Sequence, residues 1–254
     1  MADKLLKQNF TSLNFSVMHT APRIIAIAAV LALGGTTWAQ AQVTVGPRIG
    51  LNLANVSIKN EDNSGLELDP KLIAAPQAGI TLNAAFGNLA IQPSLLFSQK
   101  GFKVTEEERD GADSFKTEAT YRLGYLELPV NLVYTTGGTE GFQVFAGPYV
   151  GIGVGGKVKA KYTVTQAGVT ESGSETVNVK FASKEKNNSD DLYLNQPDFG
   201  VNGGVGYKVG PFQAQAGYSL GLGNMIPKDS NGDKPDGKLR NRVIQFSLSY
   251  FFGS

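Results

Sequence analysis

The chain has no cysteine, and its 254 residues include a single histidine, His19. The first absence excludes disulfides, thiolate metal sites, cysteine nucleophiles and cysteine-linked lipid anchors. The second removes the usual general base and the commonest zinc ligand if His19 lies in a segment that is cut away. Charge is also scarce: Asp, Glu, Lys and Arg make up 18%, against the roughly 25% of soluble domains. Hydrophobic residues do not fill the gap, at 41%; glycine does, with 31 residues. No apolar run reaches the ~18–20 residues of a spanning helix. A net charge of +1 gives no electrostatic case for a nucleic-acid partner.

Residues 1–41 read as an export signal. Arg23 gives a basic start, Ile24–Leu33 is a run of ten apolar residues, and Ala39-Gln40-Ala41 is a small-x-small cleavage pattern. Met18 is the expected true start, with cleavage after Ala39 or Ala41. Without residues 1–41 the chain loses Lys4, Lys7, Arg23 and Asp3. The remaining 213 residues, 42–254, carry 20 basic and 21 acidic side chains, and no histidine.

What is present from there on is alternation with period two, the mark of strands. In Phe212–Gly223, Phe212, Ala214, Ala216, Tyr218, Leu220 and Leu222 share one face, with Gln, Gly and Ser on the other. Phe142–Gly155, Phe199–Val209 and the C-terminal Arg242–Phe252 repeat the pattern. Val43–Val56, Ile73–Phe86, Leu89–Phe102 and Tyr121–Tyr134 complete eight segments, with Leu96 and Val133 out of step. Pro47, Pro76, Pro93, Pro129 and Pro148 fall inside segments and call for bulges or local breaks, because proline lacks the ladder donor.

Such a chain forms either a soluble barrel, apolar face inward, or a membrane barrel, apolar face outward. Three features favour the membrane. The polar face is small and uncharged, as a narrow bore needs. Short connections (87–88, 137–141, 210–211) alternate with long polar ones (58–72, 106–117, 157–191, 225–238), as in outer-membrane barrels with periplasmic turns and extracellular loops. Aromatics flank the short turns: Phe86, Tyr134, Phe142, Tyr207, Phe212, Tyr250 and Phe252 form the expected periplasmic girdle. The expected fold is an all-β, eight-stranded, antiparallel, up-and-down transmembrane β-barrel in contact with outer-membrane lipid.

Several short motifs resemble the small outer-membrane barrels of Bacteroidota, the porin-family or PorT-like proteins. They are Gly46-Pro47-Arg48-Ile49-Gly50-Leu51-Asn52-Leu53-Ala54-Asn55, Tyr125-Leu126-Glu127-Leu128-Pro129-Val130, Ala146-Gly147-Pro148-Tyr149-Val150-Gly151, Asp198-Phe199-Gly200 leading into Gly204-Val205-Gly206-Tyr207, and Tyr218-Ser219-Leu220-Gly221-Leu222-Gly223-Asn224. The resemblance implies an eight-stranded barrel and the outer membrane, and little about activity. Where that group often has an arginine before the last tyrosine, this chain has Gly217, so no role of that arginine carries over.

On the polar face lie Arg48, Glu127 and Lys208, with Gln77, Gln92, Asn131, Gln143, Asn202, Gln213, Gln215 and Gln245. Buried charge needs a partner, and the similar depths of Arg48 and Glu127 suggest a pair, as a gate or as part of a side-chain plug. No nucleophile–base pair is identifiable, so no enzyme, cofactor or catalytic residue is expected. Glu106-Glu107-Glu108 reads as solvated loop acid. Asp229, Asn231, Asp233 and Asp236 resemble the start of a calcium loop. Lys234 stands where that loop has its glycine and no bidentate glutamate follows, so a polar turn is the simpler reading. The 157–191 connection is expected either as a mobile loop or as a hairpin broken near Gly168 or Gly173, offering an edge to a protein partner. Three functions remain open: a non-enzymatic barrel that stabilises the envelope or displays loops to an envelope partner, a porin-like passage for small solutes, and a soluble periplasmic binding barrel.

Overall fold

A computed structural model describes residues 42–60, 69–111, 113–184, 191–229, 232–235 and 237–253. The export segment 1–41 lies outside the described residues. The strands are β1 (Gln42–Asn60), β2 (Ile73–Phe86), β3 (Leu89–Asp110), β4 (Asp113–Gly137), β5 (Glu140–Gln166), β6 (Val169–Phe181), β7 (Leu192–Leu194), β8 (Pro197–Val209), β9 (Phe212–Gly221) and β10 (Gly237–Tyr250). Eight of them close a ring in the order β1-β2-β3-β4-β5-β8-β9-β10, every neighbour antiparallel, with β10 returning to β1. Closure leaves no unpaired edge to hydrocarbon, the condition for strands to cross a bilayer.

The alternating pattern sorts into two environments. Side chains such as Ile49 and Leu248, each 61% exposed, and Phe142, 68% exposed, point outward. Gln77, Gln92, Asn131, Gln143, Gln213 and Gln215 are buried in the bore. A soluble barrel would invert this, so the soluble reading is excluded. On β5 the outward apolar run extends from Phe142 to Val154. At about 3.4 Å per residue and a tilt of about 40°, it rises about 30 Å, a bilayer's apolar depth plus its aromatic fringe. Leu96 and Val133, out of step in the sequence, are buried inside; Val133 packs there with Ala90 and Phe145.

Pro93, Pro129 and Pro148 cause breaks in the ladder rather than bulges, while Pro47 and Pro76 sit in an unbroken β1–β2 ladder. Pairing between β3 and β4 passes from Pro93↔Val130 directly to Leu96↔Glu127, and between β4 and β5 from Pro129↔Tyr149 to Leu132↔Ala146, with register unchanged across each gap. Register shifts fall elsewhere, one at the short turn between Thr135 and Gly137 and one within the wall. Between Gly124 and Tyr125 the β4–β5 register shifts by one, with Gly155 at φ 156°. An extra residue reverses which alternate side chains face outward. Below the bulge even-numbered residues of β5 point out; above it Lys157, Lys159 and Lys161 do, while Val158 turns inward and is buried.

The long connections also differ from expectation. The stretches 106–117 and 157–181 are mostly strand: β3, β4 and β5 continue past the apolar band, and β6 folds back on β5 through a turn at Ala167-Gly168, both at positive φ. Glu106, Glu107 and Glu108 therefore sit on β3 and not on a loop. Thr, Val and aromatic residues there pair into a four-stranded sheet, which accounts for the strand.

Candidate functional site

The bore is filled in three layers. At the short-turn end, amides form a net: Gln92 Nε2 donates to Asn83 Oδ1 and Gln213 Oε1, both at 2.9 Å, and Gln213 Nε2 returns a bond to Gln92 Oε1 at 3.1 Å. Phe251 is buried below it, with the Lys208 ammonium 5.8 Å from its ring centroid. At the long-loop end, Val56, Phe102, Leu123, Tyr125, Val158, Val179, Leu194 and Met225 make an apolar cluster.

Between them lies a charged cluster. Lys100 points inward from β3 and is fully buried. Its ammonium bridges Glu127 on β4 and Asp198 on β8, 2.8 Å from the latter. It also lies 4.6 Å from the Tyr149 ring centroid and 5.3 Å from that of Tyr125. Asp198 accepts further bonds from Asn241 Nδ2 at 3.0 Å and Tyr149 OH at 3.4 Å. A cation held by two carboxylates and two aromatic faces, with Asp198 itself hydrogen-bonded, is how buried charge escapes the cost of isolation.

Arg48 and Glu127 do lie at one depth, around a void of about 10 Å³ lined also by Leu96, Tyr149, Asn202 and Gln245. A volume near 10 Å³ is about the least that can hold one water molecule. The expected Arg48–Glu127 ion pair is absent, however: Glu127 pairs with Lys100, and Arg48 Nε and Nη1 have no hydrogen-bond partner. Lys100 is physically better placed because its partners arrive from three strands at its own level. Lys100 and Asp198 went unread in the sequence, although a signal existed. Lys100 has the parity of Gln92, Ser94 and Ser98, and Asp198 that of Gly200 and Asn202. Gly217 lies against Phe145, whose Cζ would be 2.8 Å from a side chain's Cβ there; the aromatic ring occupies the bore at that level.

Phe86, Tyr134, Phe142, Tyr207, Phe212, Tyr250 and Phe252 all stand at the short-turn end, and all but the half-buried Phe86 are exposed. Phe142 meets Tyr207 with centroids 5.3 Å apart, and Tyr250 meets both Phe212 and Phe252 at 5.1 Å. Of the four calcium candidates, Asn231 and Asp236 lie outside the described residues. Asp229 Oδ1 accepts the amides of Gly232 and Asp233, each at 2.7 Å, which is a turn built by an aspartate on its own backbone. Among the described residues no three His, Cys, Asp or Glu side chains gather as a metal site.

An outward apolar belt around a closed ring with a polar, filled bore agrees with the family match: residues 38–227 fit the family described as outer membrane protein beta-barrel domain. The chain belongs to that family. This outer-membrane barrel closes through β10, which follows the matched stretch. No curated protein matches it in sequence. Similar solved structures include the attachment invasion locus protein Ail of Yersinia pestis, at 15% identity and a TM-score of 0.36, covering 83% of this chain and 99% of that one. Neisserial surface protein A is similar at 14% identity and 0.34, covering 83% and 99%. The outer membrane protease OmpT of Escherichia coli is similar at 11% and 0.32, covering 86% and 99%.

Proposed function

We propose that this protein is a non-enzymatic, non-conducting outer-membrane barrel that displays a β-sheet to a protein partner in the envelope. Its long-loop end faces the cell exterior. Residues 1–41 are a cleaved signal, translated from Met18, and N-terminal sequencing of the mature protein should begin after Ala39 or Ala41. The finer kinship with small Bacteroidota barrels rests on the motifs quoted above.

One observation carries the reading. Above the apolar band, β3, β4, β5 and β6 continue as a four-stranded sheet, and from Val169 to Asn178 β6 pairs only with β5 among the described residues. An unpaired edge of this length is a template for a partner's strand. The opposite edge, on β3, carries Glu106, Glu107 and Glu108, charges of the kind that discourage such pairing. The β6 edge carries Glu171 and Glu175 among Thr, Ser and Gly. The three-layered filling of the bore speaks against solute passage.

A photoreactive residue at Ser174 should trap one discrete adduct in intact cells. Thr176→Pro, in the same strand, should remove that adduct and leave the barrel heat-modifiable. An adduct that survives Thr176→Pro in an intact barrel overturns the edge-pairing reading.

A further inference from the structure

Near-neutral composition conceals a layered distribution of charge. The acids Glu106–Glu108, Asp110 and Asp113 lie at the far tip of the sheet. Arg109 and Lys116 stand at that end too, each paired with a glutamate, but a larger group of cations lies next to the apolar band. On the outward face of β3, β4 and β5, just above Leu126, Ile152 and Val154, stand Lys103, Arg122, Lys157, Lys159 and Lys161. Arg240 and Arg242, on the outward parity of β10, continue this tier around the ring. At the short-turn end the outward face carries no lysine or arginine among the described residues, since Lys208 points inward and is buried.

Within this patch Lys157 is the direct cross-strand partner of Arg122. Like charges directly opposite destabilise a sheet unless something neutralises them. Among the described residues no carboxylate does so: neither residue forms an ion pair, and Arg122 donates to the carbonyl of Ala74, at 3.2 Å. Among the described residues Glu118 is the one carboxylate on the patch; it faces Lys161 across the strands and is already engaged by Lys103 at 2.9 Å and Lys116 at 3.3 Å. Those two hydrogen bonds hold its carboxyl below the usual range, so it stays ionised and occupied.

Height decides which anion fits. From Val154 to Lys157 is three residues, which on a strand tilted about 40° is a rise of about 8 Å. That places Arg122 and Lys157 in the headgroup layer, about 5–8 Å deep beyond the hydrocarbon, with Lys159, two residues further along β5, about 5 Å higher. Lysine stems can also lie back along the apolar wall while the ammonium reaches the polar layer.

We infer that this outward patch, centred on Arg122, Lys157 and Lys159, binds the phosphate groups of phosphorylated glycolipid in the outer leaflet. It rests on the long-loop end facing outward. The lipid's acyl chains lie against the apolar face of β4 and β5, and its phosphates neutralise the facing Arg122 and Lys157. The bulge at Gly124/Tyr125 is what makes the site, because without the register shift Lys157, Lys159 and Lys161 would turn to the other face.

The full-length barrel, extracted from its membrane into phosphatidylcholine nanodiscs, allows a test that does not depend on orientation in the cell. Native mass spectrometry then follows retention of lipid A bearing its phosphates, and of the same lipid after phosphatase treatment. Retention should require the phosphates. Lys157→Gln/Lys159→Gln should reduce it about tenfold or more. Lys157→Arg/Lys159→Arg should preserve it, and Lys184→Gln/Lys228→Gln, the same charge loss away from the patch, should leave it within about twofold. Inorganic phosphate should not displace the lipid. Equal retention of the dephosphorylated lipid, equal losses in the two glutamine pairs, or displacement by inorganic phosphate would each overturn the proposal. A failure here with correct surface labelling of β6 would count against the lipid site and not against the orientation.

Discussion

The Lys100 ammonium lies 2.8 Å from the Asp198 carboxylate although 98 positions separate them in the chain. With Glu127 on the other side, the ion cluster joins the neighbours β3 and β4 to β8, which is adjacent to neither in the ring. Lys100→Met would leave two carboxylates buried without their cation. Breaking a buried pair in this way costs about 3–5 kcal/mol. Urea unfolding in detergent should show that loss. Lys100→Met/Asp198→Asn leaves one cation, Arg48, with one anion, Glu127, and should be less damaging than the single variant. A double variant as unstable as the sum of the singles would refute the charge-balance account.

The same layers should make the barrel electrically silent. Purified protein added to planar bilayers should give no stepwise conductance, since at the level of Arg48, Leu96 and Glu127 the free volume is only about 10 Å³. Regular, reproducible conductance steps from wild-type protein would show that the filling moves aside.

Ile49 stands at the middle of the outward run of β1, opposite Leu248 and Ala78. Ile49→Arg should cost roughly 2–4 kcal/mol, the penalty of arginine at mid-bilayer in barrels, and should lower the refolded fraction. Leu220 is a poorer probe, because it is paired with Arg242 at the upper margin of the band. Thr139→Arg, in a short turn outside the band, should refold like wild type.

Absence of cysteine makes topology easy to read. Single cysteines at Ser172 or Ser174 should react with an impermeant thiol reagent on intact cells, whereas those at Asn88 or Thr139 should react only after the outer membrane is opened. The reverse pattern would invert the barrel.

Closure depends on the last strand. Arg48↔Ser249 to Asn60↔Gly237 pair β1 with β10, Val45 and Phe252 add a bridge, and the Phe251 amide donates to Pro211 O at 2.8 Å. Deleting Gly253-Ser254 should be harmless. Deleting 250–254 removes the end of the seam, the buried Phe251 and two girdle aromatics, and should leave a protein that is not heat-modifiable and is degraded in the periplasm.

Alternation in the sequence was enough to place β2 at its observed limits, Ile73–Phe86, and to assign which residues of β5, β8, β9 and β10 meet lipid, because a two-residue period maps directly onto two faces. Short turns could be read for a similar reason: Gly87 and Gly210 sit at positive φ, which glycine adopts without strain. The interior polar set was readable as a set, since parity alone sends Gln92, Asn131 and Gln213 inward. Pairings within it were not. Arg48 and Lys100 both lie near Glu127, and only the stagger of strands β3, β4 and β8 decides that Lys100 makes the ion pairs. Nor could parity be carried past the bulge at Gly124/Tyr125. Counting from Phe142 by twos would send Val158 to lipid and Lys157 into the bore; one extra residue reverses both. The side a residue faces is a local, periodic property along a strand, and the sequence encodes it. Register, and every contact across the barrel, depends on how strands are offset when the sheet closes, and that was decided by the tertiary structure.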